Sequence, residues 1–345
     1  MTTAILTGLI IGIIFGFVMQ RGRFCMNSAI RDTALLQDYT LLKSVGVAIL
    51  VEMVGFAIMS AAGIITINPK PLFWGANLVG SFIFGVGMVI AGGCASGITY
   101  RVGEGMMGAL AAVIGLATTG TLTAMGFLKP IKDSLQTSTI IKTVDDTNLT
   151  LANVLGIPYW ILALIIAIAA GAIWYFMARK NEDEDLVVDT SMPFFKRPWN
   201  WLVTGIGIGI VGIISFPISA AAGRNYPLGI TAGWIQWVKV VILRVEDQAV
   251  NWIAAMVLGI VIGALIAALL SGEFKFRFPK WGMIGQAFLG GLIMGFGAVT
   301  SGGCNVTHIL SGIHQLSIGS FVAAIAIALG AWVTAYLIFI RPQKA

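Results

Sequence analysis

Ala91-Gly92-Gly93-Cys94-Ala95 and Ser301-Gly302-Gly303-Cys304-Asn305 are the two stretches on which the reading of the chain turns. Each ends a long apolar run. The approaches match as well as the turns: Gly80, Gly85 and Gly87 before the first line up with Gly290, Gly295 and Gly297 before the second. This is a duplicated unit and not a chance Gly-Gly-Cys. Paired Gly residues admit backbone conformations closed to other residues and let main chain come close to a bound group. Two such breaks at equivalent places in two halves of an apolar chain mark the expected central site of a repeat-built membrane protein.

Composition agrees. The 345 residues are 58% hydrophobic and only 10% charged, with a mean hydropathy of +0.93. Soluble domains are about one quarter charged, so the chain is an integral membrane protein. Many of its 43 Gly lie inside apolar runs, where membrane helices use them for close packing. The first run carries straight into Gly22-Arg23-Phe24-Cys25 with no cleavage-type site, and reads as a span rather than a signal peptide. The formal net charge of +6 is scattered singly between spans, which fits topology and an anionic solute better than nucleic acid. Three Cys, none in a CxxC, argue against a structural disulfide set and against zinc. His308 and His314 have no carboxylate or Cys pair nearby in sequence, so no metal site and no cofactor are expected.

Nine apolar runs are long enough to cross about 30 Å of hydrocarbon. They fall near 4–20, 43–65, 75–92, 104–127, 157–178, 200–219, 251–271, 281–300 and 317–340. Four shorter stretches, near 24–37, 94–102, 226–244 and 304–315, each follow a Gly or Gly-Gly break and mix apolar with polar residues. At membrane depth such backbone survives only where protein or a wet cavity covers it. The expected fold is therefore all-α: an inverted-repeat bundle of nine transmembrane helices plus about four short re-entrant or half helices. Residues 1–127 form the first repeat. Residues 128–199 supply an outer loop, a connecting span and a cytoplasmic hinge, and 200–345 form the second repeat. Five crossings before the second copy begins reverse its direction through the membrane. Gly22-Arg23-Phe24-Cys25 after the first span also matches Gly223-Arg224-Asn225-Tyr226 after the sixth, with Tyr in place of Cys, so the site is only pseudosymmetric. The acidic run Glu182-Asp183-Glu184-Asp185 reads as a solvated loop. With the N-terminus outside, only Lys70, Lys129, Lys132, Lys142, Arg224, Lys239 and Arg244 of the 21 Lys and Arg fall on outer segments. The C-terminus is accordingly expected in the cytoplasm.

Cys25, Cys94 and Cys304 each stand at a break. A single membrane Cys is most often a small buried hydrophobe, but three of three at breaks, two of them in duplicated turns, point to one shared path. A helix that starts after Gly92-Gly93 or Gly302-Gly303 presents free N–H groups and the positive end of its dipole, which favours an anion. Those donors replace part of the water that a bare charge sheds at great cost inside a bilayer. Hydroxyls at Ser96, Thr99, Ser301 and Thr307 add donors unless they bond back to their own helices. Neutral thiols donate weak S–H bonds and tolerate a sulfur partner, so an anion ending in sulfur is preferred over one with oxygens only. Arg23, Arg101 and Arg224 near the breaks, and Lys70 in Pro69-Lys70-Pro71, either draw an anion inward or snorkel as topology anchors. Glu52, the one acid well inside a span, faces the interior or a cavity, paired with an Arg or carrying a proton.

Met19-Gln20-Arg21-Gly22-Arg23-Phe24-Cys25, then Ala91-Gly92-Gly93-Cys94-Ala95-Ser96-Gly97 with Tyr100-Arg101-Val102-Gly103-Glu104-Gly105, then Gly295-Phe296-Gly297 leading to Ser301-Gly302-Gly303-Cys304, resemble the YeeE/YedE family of bacterial inner-membrane sulfur-compound transporters. The resemblance covers essentially the whole chain. It implies an hourglass of nine spanning and four short helices, and uptake of thiosulfate into the cytoplasm as a sulfur source. It also implies relay of the ion by S–H contacts from three cysteines, which fall here on Cys25, Cys94 and Cys304. A small cytoplasmic TusA-like sulfur carrier is the implied partner. Family members associated with selenium metabolism share the scaffold, so a selenium compound or a broader range of inorganic anions is the nearest alternative. The rival from another class is a membrane thiol oxidoreductase or sulfurtransferase. It needs two thiols within disulfide distance or a base beside one of them, and the sequence shows neither a CxxC nor an obvious base.

Overall fold

A computed structural model describes residues 2–143, 145–180, 192–245 and 249–344. The acidic run at Glu182-Asp183-Glu184-Asp185 lies outside them. The first half runs α1 (Thr2–Arg21), α2 (Met26–Leu35), α3 (Thr40–Ala61), α4 (Trp74–Ile90), α5 (Ala95–Gly103) and α6 (Met107–Met125). After α7 (Lys129–Thr139), α8 (Leu151–Leu155) and α9 (Tyr159–Lys180), the second half runs α10 (Trp201–Ala221), α11 (Thr231–Trp237), α12 (Trp252–Leu270), α13 (Trp281–Ser301) and α14 (Ile318–Ala335). The π-helical segment Val238–Ile242 extends α11, and Val306–Leu310 forms the centre of a half helix over 305–312. This is an all-α membrane protein: eight helical segments among the described residues are long and apolar enough to cross a bilayer. The run at 157–178 becomes α9, whose apolar described part is Tyr159–Trp174. The four stretches with mixed polarity hold α2, α5, α11 and the 305–312 half helix.

The breaks have a common cause. Gly92 takes φ +72°, a left-handed conformation that bars a following helical turn. The amides of Gly92 and Gly93 then bond back to Val89 O and Met88 O at 3.1 and 3.0 Å, closing the end of α4. Gly302 ends α13 in the same conformation, with φ +86°. At the other two breaks the left-handed residues are Arg23 in the first and Gly223 with Asn225 in the second, and Arg23 and Gly223 make the matching helix-closing bonds, to Gln20 O and Ala220 O. The expected match of Gly22 with Gly223 is therefore one residue out of step. The second of these breaks is also longer, running to Ile230 before α11 begins, whereas α2 starts at Met26. Pro227 explains the difference, because it lacks an N–H and disfavours helix in the residue before it.

Packing runs across the halves. The most extensive contact of α1 is with α12, and that of α10 is with α3; likewise α6 lies on α13 and α14 on α4. Exchanging the two halves turns each of these pairs into the other, so the halves interlock. Small residues set the approach: Gly8, Gly12 and Gly16 face the carbonyls of Trp252, Met256 and Ile260, and a Cβ at any of the three would overlap main chain. Between membrane helices, where lipid is as apolar as Leu, such close contact is the main attraction. One buried cluster spans both halves and contains Cys25, Cys94 and Cys304.

Residues 128–156, expected as an outer loop, carry more structure than that. Pro130 opens α7, and Lys129 pairs with Asp133 at 2.9 Å one turn later. β1 (Leu72–Phe73) pairs antiparallel with β2 (Ile140–Ile141). Thr150 caps α8 by accepting from Asn153 N at 3.1 Å. Gln136 Nε2 donates to Thr300 O at 2.9 Å, which docks α7 on the end of α13. The hydrophilic composition reports one solvated face and not an absence of helix.

Candidate functional site

Cys25 is the residue before α2, Cys94 the residue before α5 and Cys304 the residue before the 305–312 half helix. All three stand where a helix exposes unsatisfied first-turn amides. The Cys94 sulfur acts as a cap and accepts from Gly97 N at 3.4 Å. Main-chain amides of Ser28 and Asn27 face the Cys25 and Cys94 sulfurs respectively. Cys25 Sγ and Cys94 Sγ are 3.8 Å apart, a thiol–thiol contact. Gly97 makes the room: a Cβ there would lie 2.6 Å from Cys25 Sγ and 3.3 Å from Cys94 Sγ. The third cysteine is tied in through its neighbour, since Asn305 Nδ2 donates to Met26 Sδ at 3.0 Å. The residue after Cys25 thus touches the residue after Cys304. The three thiols are free, and none is more than 1% exposed.

The four hydroxyls divide. Ser96 Oγ meets Cys94 Sγ at 3.4 Å, and Thr307 Oγ1 meets Cys304 Sγ at 3.6 Å. Thr99 instead donates back to Ala95 O at 2.8 Å, and Ser301 donates to Ala298 O and Gly303 O at 3.2 and 2.9 Å. Gly93 and Gly303 are tight as well as turned, with Ile98 and Arg101 beside the first and Thr307 and His308 beside the second.

The basic residues also separate. Arg101 lies within electrostatic reach of Cys25 and Cys94 and donates to Gly92 O at 2.7 Å, which holds the first turn closed. Arg224 donates to Tyr226 O and Pro227 O, clamping its own break, and lies over the rings of Tyr226 and Trp252. Lys70 Nζ stands 4.5 Å from the Tyr226 ring centre. Tyr226 Oη donates to Thr307 O at 2.8 Å, joining this cationic group to the half helix that follows Cys304. Burial pulls the Lys70 ammonium down to about 8, with nearby Arg224 adding to the shift and Cys304 opposing it. Burial likewise pulls Arg224 down to about 10, against the influence of Tyr226 and Cys304.

Arg23 belongs to a different group. Its guanidinium is half-exposed and pairs with Glu104 and Glu273, both at 2.8 Å. Arg21, buried, donates to Lys196 O at 2.7 Å and Ser271 Oγ at 2.9 Å and pairs with Glu273. Gln20 Nε2 donates to Glu104 at 3.0 Å and to Glu273 at 2.8 Å. Burial pushes the Glu273 carboxyl up, but Gln20, Arg23 and Arg21 outweigh it and hold that carboxyl below its ordinary range. The cluster ties together the ends of α1, α5 and α12.

Glu52 is buried on α3, and its neighbour is a histidine and not an arginine. His314 Nδ1 lies 2.9 Å from Glu52 Oε2 without the alignment of a hydrogen bond. Gly212 of α10 leaves the space for the carboxylate, Phe56 stands edge-on to the imidazole, and Tyr159 Oη donates to His314 O at 2.9 Å. No local signal joins positions so far apart in sequence. A cavity of about 800 Å³ opens nearby, lined by Tyr159, Gln315 and Asn68 together with Asp145 and Asp146. None of the three Cys lines it, and the two acids make it a poor anion site. Sequence reasoning also passed over Gly97, Met26, Asn27 and Asn305. The available signal was their position, within three residues of a cysteine that precedes a half helix.

The sequence profile of the family described as sulphur transport matches residues 21–333, a range that takes in all four breaks and all three Cys. The chain belongs to the sulphur-transport family. This member is 39% identical over 343 residues to the thiosulfate transporter TsuA of Spirochaeta thermophila, an alignment covering 97% of this chain and 99% of that one. It is 30% identical over 352 residues to the thiosulfate transporter TsuA of Escherichia coli, covering 100% and 97%. A stretch of 99 residues is 37% identical to the probable transporter YedE of Escherichia coli, covering 28% of this chain and 25% of that one. As a sulphur-transport protein it is a membrane transporter and not an enzyme.

Proposed function

We propose that this protein imports thiosulfate across the bacterial inner membrane, passing the ion along Cys304, Cys94 and Cys25. The observation that carries the reading is the 3.8 Å contact of Cys25 with Cys94 at two half-helix starts, joined to the Cys304 half helix by the Met26–Asn305 bond. Lys70 and Arg224 on the outer side attract the dianion. Cys304 and Thr307, then Cys94 with Ser96 and Cys25, meet its terminal sulfur through S–H and O–H donors. First-turn amides after the Gly92-Gly93 and Gly302-Gly303 turns replace its lost water. Arg101 and then the Arg23–Glu104–Glu273 cluster lie on the way to the cytoplasm. The thiols stay neutral, because a thiolate would repel the anion. All three sulfurs are sealed from solvent, so passage requires the half helices to move about their glycine turns.

In this reading residues 1–127 and 200–345 are inverted copies, with 128–199 between them. The N-terminus is outside and the C-terminus inside. Glu52, packed on His314, holds the 313–317 turn behind the Cys304 half helix. A cytoplasmic TusA-like carrier draws the sulfur onward. The test is thiosulfate uptake by cells lacking other importers, expressing wild type or single Cys→Ala variants. Each variant is expected to lose most uptake; wild-type uptake by all three would remove the thiol relay. Competition separates the substrates: equal inhibition by sulfate would count against sulfur selectivity, and stronger inhibition by selenosulfate than by thiosulfate would favour a selenium anion. A persulfide trapped on Cys94 during turnover would replace the relay with covalent cycling.

A further inference from the structure

Asn27 and Asn305 lie on the first turns of the half helices that follow Cys25 and Cys304. Both are fully buried. Among the described residues, neither Oδ1 nor Nδ2 of Asn27 has a hydrogen-bond partner, and Oδ1 of Asn305 has none. The remaining group, Nδ2 of Asn305, donates to the thioether of Met26, a weak acceptor. Buried polar atoms are nearly always paired. Leaving one unpaired costs more than replacing it with an apolar group of the same shape. Three unpaired atoms on two neighbouring turns therefore weaken the fold at its centre. Their surroundings indicate what they face. The main-chain amide of Asn27 faces the Cys94 sulfur, and the Met26–Asn305 bond sets the turn after Cys25 beside the turn after Cys304.

Thiosulfate has two chemically different ends. Its terminal sulfur suits thiols, whereas its sulfonate oxygens are strong acceptors that call for N–H donors. We propose that the carboxamide N–H groups of Asn27 and Asn305 bind the sulfonate oxygens of the transported ion while the thiols hold its sulfur, and that these two residues set its specificity. This rests on the thiosulfate reading above. Each carboxamide brings two N–H donors. Asn27 gains a partner for its amide, and Asn305 exchanges a thioether for an anionic oxygen. Neither adds a full positive charge, which would trap a dianion at the throat.

The test reconstitutes the full-length protein in liposomes and measures uptake of radiolabelled thiosulfate for wild type, Asn27→Leu and Asn305→Leu. Thermal unfolding in detergent, with and without thiosulfate, is read on the same preparations. Each Leu is expected to raise KM about tenfold or more, as befits the loss of charge-assisted bonds. Each is also expected to abolish the thiosulfate-induced rise in Tm, and Asn27→Leu, which breaks no bond, leaves the ligand-free Tm at or above wild type. KM values within twofold of wild type would overturn the proposal. So would failure to fold or a lowered ligand-free Tm in both variants, which would mark the amides as structural. Wild-type liposomes that take up no thiosulfate would sink the substrate reading itself, and the Asn assignment with it.

Discussion

Lys70 is the residue whose chemistry is most exposed to a simple measurement. Pressed against Tyr226 and beside Arg224, its ammonium is pulled down to about 8. The ammonium is the charged form, so it is largely present at pH 7, half gone near 8 and lost above. If it draws the anion toward Cys304, uptake falls several-fold as the outer pH rises from 7 to 9. Lys70→Arg, whose guanidinium keeps its proton there, is expected to flatten that fall. A pH-independent wild type would remove Lys70 from the path. At this scale the sequence was informative about the thiols, because a Cys beside a Gly-Gly turn is a covalent fact. It singled out Glu52 but not its contact with His314, which is made by α3, α10 and the 313–317 turn arriving at one place.

The half helices were legible because their stops are local: a glycine in the left-handed region, as at Gly92 and Gly302, ends a helix whatever surrounds it. The helix partners were not. Gly8, Gly12 and Gly16 are readable as a small-residue stripe, yet nothing in the stripe says that α12 and not α3 will lie upon it. Gly12→Val puts side-chain atoms onto the Met256 carbonyl and is expected to destabilise by about 1–3 kcal/mol or more. Its effect would be seen as a lower Tm in detergent and reduced membrane yield. Gly171→Val, where a Cβ meets nothing within 4 Å, serves as the control and is expected to change neither. Equal loss in the two variants would show that the stripe does not set the α1–α12 approach. The 128–156 segment teaches the converse lesson, since a hydrophilic composition marked where it lies and hid the order it has in docking on α13.

Over the whole molecule, cations stand near both parts of the proposed path: Lys70 and Arg224 within electrostatic reach of Cys304, and Arg101 within reach of Cys25 and Cys94, with the Arg21–Arg23–Glu104–Glu273 cluster beyond it in the proposed order. The direction of import follows from which end faces the cytoplasm. Alkaline phosphatase, active only outside, is expected to be inactive when fused at the C-terminus and active when inserted at residue 145 in the segment before α8; a fluorescent protein is expected to give the reverse. The opposite pattern would turn the path end for end. The sequence by itself determined the membrane class, the duplicated breaks and the three thiols standing at them, because hydropathy, glycine stops and residue identity act over a few neighbours. Only the tertiary structure decided that Cys25 meets Cys94 while Cys304 joins through Asn305 and Met26, and that Glu52 meets His314. Those contacts exist because each half packs its helices on the other, and no local pattern carries that pairing.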